Sequence, residues 1–189
     1  MQLWRKLGTR SGFQQEAQEP EGRGDNSLLF AQSSEDPTKS QAFLQKAQKL
    51  QPYWPQEDAF AFLKRCEGIF EETLEAYAKN RHETLKKYLS ENVYESFAER
   101  LKKRAKKKQN LLIDIKNLQA SLENVLETRG GVEVVVQFKS EQMFASVNVS
   151  GESFDNPACL FVPKKNTWTF QILKGQEDLK VVEMGTDFS

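Results

Sequence analysis

The most concentrated chemistry in the chain is a run of positive charge. Seven of the nine residues from Arg100 to Lys108 are cationic: Arg100, Lys102, Lys103, Arg104, Lys106, Lys107 and Lys108. Leu101 and Ala105 interrupt the run at four-residue spacing. A helix would keep those two on a buried stripe while the cations wrap the rest. The plain structural reading is a solvated helix end, because the helix dipole favours cations at a C-terminus. The functional reading is an anionic surface: lipid headgroups, ribosomal RNA or an acidic partner. Each Lys or Arg near an anionic membrane contributes ~1 kcal/mol, so such a run can hold a peripheral protein, the more so with a second anchor. No aromatic residue lies inside the run, which argues against single-stranded nucleic acid.

A second feature is aromatic. Tyr53 and Trp54 sit between Pro52 and Pro55, just ahead of Phe60 and Phe62. Aromatics of this kind occupy membrane interfaces, and Phe43, Ala47 and Leu50 would extend that surface. The same residues equally suit a hydrophobic staple that closes a core. Nucleophile and phosphate-loop patterns are missing: there is no GxSxG and no Walker-type loop. One histidine, His82, rules out a multi-histidine metal site. Two cysteines, Cys66 and Cys159, are too few for a disulfide framework or zinc cluster. Neither a metal nor a cofactor is expected. Arg23-Gly24-Asp25 and the sequon Asn148-Val149-Ser150 are short enough to arise by chance and carry no weight.

The elements that must position these residues follow from composition and period. The chain has 189 residues, with 27 basic and 27 acidic side chains. A formal charge of zero removes any whole-protein case for DNA. No stretch approaches the ~20 apolar residues of a membrane span, and no secretory leader is recognisable. Residues 11 to about 40 are rich in Gln, Glu, Ser, Gly and Pro and read as a disordered tether, interrupted by Leu28-Leu29-Phe30. The body is expected from about Gln51. Ala59, Leu63, Cys66, Phe70, Leu74 and Tyr77 mark a helix from about Glu57 to Lys79, with Asn80 as its stop. A short helix from His82 to Leu89 and a third after Ser90 follow. Strands are expected at Val132–Phe138, Gln142–Val149, Thr167–Leu173 and Leu179–Met184. Helices first and strands later make an α+β domain with an antiparallel sheet. Leu111 to Glu127 reads as helix by its stripe (Leu111, Ile115, Leu118, Leu122, Val125), against the strand-like alternation of Leu111, Ile113 and Ile115.

Taken in order, these pieces resemble the C-terminal domain of the Tim forty-four family, whose founding member is a mitochondrial inner-membrane translocase subunit with alphaproteobacterial relatives. The resemblance is carried by Phe62-Leu63, Phe70, Leu85, Leu89, Tyr94 and Phe97 in the helical half. In the sheet it is carried by Phe138, Ser140 and Glu141, and by Trp168-Thr169-Phe170. It covers about residues 51–184, and LWRKLGTRSGF near the N-terminus is similar to the sequence after the membrane helix of bacterial relatives. The chain departs from the pattern at Asn80-Arg81, where the family often has Gly-Asp, and at Leu179-Lys180-Val181, where it usually has a Trp.

The resemblance implies a cone-shaped fold like nuclear transport factor two, with N-terminal helices packed on a strongly curved antiparallel sheet. Leu111–Glu127 then becomes a strand, with Asn117 and Asn124 at its bulges. Residues 1–50 would be a juxtamembrane tether and residues 51–189 the cone. A pocket is expected at the open end among Tyr94, Phe138, Phe144, Trp168 and Phe170. Asp114, Tyr94 and Glu141 are the only groups that suggest proton transfer. Implied partners are anionic lipid such as cardiolipin and proteins of an inner-membrane complex, on its cytoplasmic or matrix face. Attachment would be peripheral or through an N-terminal helix not present in this chain. The expected role is a non-enzymatic scaffold. A ribosome-associated adaptor sharing the domain and a pocket enzyme of the same fold stay open as alternatives.

Overall fold

The structure, a computed structural model, describes residues 37–148, 155–156, 158–176 and 178–187. Most of the expected tether, with Arg23-Gly24-Asp25 and Leu28-Leu29-Phe30, lies outside the described residues, as do Val149 and Ser150 of the sequon.

Four helices precede four strands. Helix α1 spans Pro37–Leu50, α2 Ala59–Ala78, α3 His82–Tyr88 and α4 Glu91–Lys106. Strand β1 spans Asn110–Thr128, β2 Gly131–Val147, β3 Val162–Leu173 and β4 Leu179–Asp187. The strands form one antiparallel meander in the order β1-β2-β3-β4. The α+β class and the helix-on-sheet layering are as expected.

Helix α2 starts where Asp58 accepts a hydrogen bond from the Ala61 amide at 2.8 Å, an N-cap that satisfies one orphan donor. It ends where Asn80 enters the left-handed region at φ 56°. Asparagine tolerates that conformation, so the departure from Gly-Asp leaves the turn intact. The buried face of α2 carries Phe62, Cys66 and Phe70, all at 0% exposure. Phe70 stacks on Phe138 at 4.5 Å and leans on Trp168 at 4.6 Å. This aromatic group ties α2 to the middle of β2 and β3, and each such pair adds about 0.5–1.5 kcal/mol beyond burial.

Three expectations are corrected. First, residues 37–50 form a helix that packs on the body rather than belonging to the tether: Leu50 is buried, and Lys46 Nζ donates to the Leu122 carbonyl at 2.9 Å. Second, β2 is one strand of 17 residues, not two. The polar stretch Lys139-Ser140-Glu141 continues the ladder because Ser140 and Gln142 are buried together. Gln142 Nε2 donates to Ser140 Oγ at 2.8 Å and to Asn166 Oδ1 at 2.9 Å, so the buried amide is partnered. Third, the helical count over 111–127 yields to the strand that the resemblance implied. Register shifts fall between Lys116 and Gln119 and between Leu122 and Asn124, and Asn117 has φ 54°. Asn117 lies within the first shift and Asn124 flanks the second. Irregularities of this kind bend a strand locally and raise its twist.

The outer edge of β1 is sealed by side chains. Glu67 Oε1 accepts from the Ala120 amide at 2.9 Å, beside the Lys46 contact to Leu122. Such side-chain caps protect an edge strand. At the other edge, the α3–α4 junction docks on β4. Leu89 makes a parallel bridge to Val181, and the Ser90 amide donates to the Val181 carbonyl at 2.9 Å. Gly131 holds its place in the β1–β2 hairpin by close approach, since a Cβ there would meet the Ile172 carbonyl at 1.9 Å.

Candidate functional site

A pocket of about 680 Å³ opens between α4 and the sheet, with α2 behind it. Its apolar lining includes Phe70, Leu74, Phe97, Phe144, Trp168 and Met184. The mouth is polar, and Arg100, Lys164 and Glu183 stand on it from three different elements. The side chains supplied by α4 are Asn92, Val93, Ser96, Phe97 and Arg100. Asn92, Ser96 and Arg100 repeat every four residues and so form one stripe along the helix. Lys103 stands one turn beyond Arg100 on that stripe, and Lys107 follows at the C-cap. The apolar pocket therefore runs into the cationic face of α4 without a break in helical phase.

Within the basic run, Arg100, Lys102, Lys103, Lys106, Lys107 and Lys108 are exposed. None of them has a carboxylate partner within 4.0 Å among the described residues. Arg104 differs. Its guanidinium turns inward, donates to the Tyr77 and Ala78 carbonyls and to Asn80 Oδ1, and lies over the Tyr77 ring at 4.7 Å. Burial pulls its pKa below the usual guanidinium value, with the Tyr77 charge opposing. Arg104 is thus a clamp on the C-terminus of α2 and stands apart from the exposed cations of the run. Ala105 is exposed, not buried. The helix stops through Lys108 at φ 51°, with the Gln109 amide bonded to the Arg104 carbonyl at 3.2 Å.

The aromatic group divides. Trp54 and Phe62 are core residues, 1% and 0% exposed, meeting edge to face at 5.7 Å. Trp54 Nε1 donates to Glu57 at 3.1 Å. These two act as the staple, so no membrane contact falls to them. Tyr53 is half-buried, whereas Phe60 is 68% exposed. Phe60 lies tilted against Phe43, with ring centroids 4.8 Å apart, and Leu44 is also exposed.

Of the five residues expected at the pocket, Phe144 and Trp168 line it. Phe138 and Phe170 lie beneath as core at 0% exposure. Tyr94 turns away to meet His82 Nδ1 through its hydroxyl at 3.0 Å. Asp114 is exposed on β1, and Glu141 is paired in register with Lys116. Neither lines the pocket, and Glu183 is the one acid that does. Among the described residues no group of three His, Cys, Asp or Glu side chains could hold a metal ion. No helix among them is long and apolar enough to cross a membrane. Cys66 is fully buried on α2, and desolvation pushes its thiol pKa well up, so it is a core side chain. Sequence reasoning missed the polar mouth of the pocket. The signal was present in Asn92, Ser96 and Arg100, one position before or three after the apolar Val93 and Phe97.

Comparison with known proteins places this architecture. A search of curated proteins finds no match. Among solved structures, the chain is similar to the crystal structure of the intermembrane space region of the chloroplast protein ARC6. The TM-score is 0.50 at 13% identity, covering 67% of this chain and 97% of that one. That likeness concerns the fold. The family model described as the Tim44-like domain matches residues 41–179, from the middle of α1 to the first residue of β4. The chain belongs to the Tim44-like domain family.

Proposed function

We propose that this protein is a non-enzymatic scaffold at a membrane surface, which binds anionic lipid through α4 and gathers protein partners there. The observation that carries the reading is the continuity between the apolar pocket and the unpaired cations of one helix. An amphiphile fits that combination: a chain or apolar segment enters the pocket and an anionic group meets Arg100, Lys103 and Lys107. Exposed cations have little to contribute within the chain, whereas facing a negative membrane each contributes ~1 kcal/mol. The exposed pair Phe60 and Leu44 offers a second, apolar anchor, and two signals hold a peripheral protein better than one. Membership of the Tim44-like family supports a role in organising proteins at a membrane, with the mitochondrial inner membrane or its bacterial counterpart as the site.

Vesicle flotation of the full chain tests this reading. The protein is expected to float with cardiolipin-containing vesicles at low salt, to remain behind with neutral vesicles, and to be released at high salt. Charge reversal of Lys102, Lys103, Lys106 and Lys107 is expected to abolish flotation with the thermal transition retained. Equal flotation of that variant overturns the reading. Salt-sensitive binding to ribosomal RNA without flotation would transfer the function to the ribosome-associated alternative.

A further inference from the structure

The partnering of Gln142 is one-sided. This residue is 4% exposed on β2 and lines the pocket beneath α4. Its Nε2 donates to Ser140 Oγ at 2.8 Å and to Asn166 Oδ1 at 2.9 Å, which uses both amide hydrogens. Among the described residues, its Oε1 accepts from none. That oxygen is not sealed in the core either. The partnerless side-chain atoms shut away from solvent among the described residues are Thr73 Oγ1, Arg104 Nε and Arg104 Nη1. The two bonds from the nitrogen fix the way the amide faces and leave a held acceptor open to the pocket.

The ladder places this acceptor at the charged end of the pocket. Ser140 pairs with Lys164, and Gln142 pairs with Val162. Residues two apart on a strand share a face. Gln142 and Lys164 are therefore diagonal neighbours on the face that lines the pocket, with Lys164 on its mouth. Phe144, two residues along β2, flanks Gln142 with apolar surface. A bare hydrocarbon chain drawn across Oε1 would strip its water and supply no donor, which costs the desolvation of a carbonyl oxygen. A ligand with an N–H or O–H just below its anionic group replaces the bond it displaces.

We infer that the pocket selects for a hydrogen-bond donor. Its ligand is an anionic amphiphile that carries an amide N–H or a hydroxyl a few bonds below the anionic group, given to Gln142 Oε1. An N-acyl amino acid and a β-hydroxy fatty acid both have that chemistry. Gln142 then sets specificity, while Arg100 meets the charge and Phe97, Phe144 and Trp168 cover the tail. The inference rests on the amphiphile reading of this pocket and adds the class of ligand to it.

Isothermal titration calorimetry of the full chain against two matched pairs tests it, each probe kept below its micellar concentration. N-lauroylglycine is compared with O-lauroylglycolate, its ester counterpart, which has oxygen in place of the N–H. β-Hydroxytetradecanoate is compared with tetradecanoate. In at least one pair the member with the donor is expected to bind about tenfold more tightly. The pair that shows the preference tells an amide from a hydroxyl. Gln142→Met removes the acceptor at similar side-chain length and is expected to bring that ratio to about one. Arg100→Gln is expected to weaken both members of a pair and to leave their ratio unchanged. The wild-type ratio decides by itself, so a Gln142→Met chain that fails to fold leaves the test intact. Equal affinity within both pairs, or a preference kept in folded Gln142→Met, overturns the inference and leaves the amphiphile reading standing. Failure of all four probes to bind overturns the two together.

Discussion

Arg104 and Asn80 hold each other across the α2–α3 turn, with the guanidinium Nη2 donating to the side-chain oxygen at 2.6 Å. The same nitrogen reaches the Tyr77 and Ala78 carbonyls, so one cation closes the C-terminal end of α2 from a helix two elements away. Hydrogen bonds made by a charged donor contribute about 1.5–3 kcal/mol. Arg104→Ala is therefore expected to destabilise the domain by about 2 kcal/mol in urea unfolding. Lys103→Ala, one residue away and exposed, should change stability by less than about 0.5 kcal/mol. Arg104→Lys is not expected to rescue, because an ammonium cannot match the planar fork lying over Tyr77.

Occupancy of the pocket is readable through Trp168 on its wall. Ser96→Trp places a large side chain in the mouth from α4. It is expected to lower binding of an anionic single-chain amphiphile at least tenfold, measured by titration of intrinsic fluorescence. The four-lysine reversal should weaken the same binding in a salt-dependent way. Unchanged affinity in Ser96→Trp would place the apolar part of the ligand elsewhere.

The two thiols should differ in reactivity. Cys66 is buried with a raised pKa, and Cys159 is exposed. A disulfide reagent at neutral pH is expected to label one thiol per chain at once, and the second only on unfolding, because the thiolate is the reacting form. Cys159→Ser should remove the fast phase completely.

Asp155 supplies a pH-dependent contact. Its carboxylate accepts from the Ser146 amide at 2.6 Å, and hydrogen bonding from the Ser146 side chain, with a smaller part from that amide, lowers its pKa. A depressed carboxylate contributes stability above its unfolded value of about 3.9, and loses it as pH falls through the lower folded value. The Ser146 amide resonance is expected to stay constant at neutral pH and to move only in the acid range below that value. Asp155→Asn should flatten the titration.

The legibility of the sequence varied with how far each signal was local. The α2 stripe and the Asn80 stop could be read directly, because each depends on a few neighbouring residues. Strand β1 misled for a definable reason. Its inward residues run 111, 113, 115, then 118, 120, 122, then 125, with a bulge at each break. Two inserted residues turn a period of two into apparent steps of four and three: Leu111, Ile115, Leu118, Leu122, Val125. That is a helical spacing, so counting alone favours helix. The continuity of β2 was hidden for a different reason, since polar Ser140 and Gln142 are buried through a bond to Asn166 on another strand. In the candidate site, the cationic run was plain in one dimension. The inward turn of Arg104 was not, because its acceptors are carbonyls that carry no sequence signature.

The bridge between Leu89 and Val181 also sets the order in which the chain can complete itself. Each strand pairs with its immediate successor, so the sheet grows from neighbouring hairpins with short loop closures. The helical half is anchored to the last strand, and Lys180 Nζ reaches the Lys86 carbonyl across 94 residues of chain. On a ribosome, α2, α3 and α4 emerge long before β4 and have no sheet to cover their apolar sides. Closure is a late, long-range event. Until it happens, the nascent helices are a client for whatever chaperone shields exposed apolar surface.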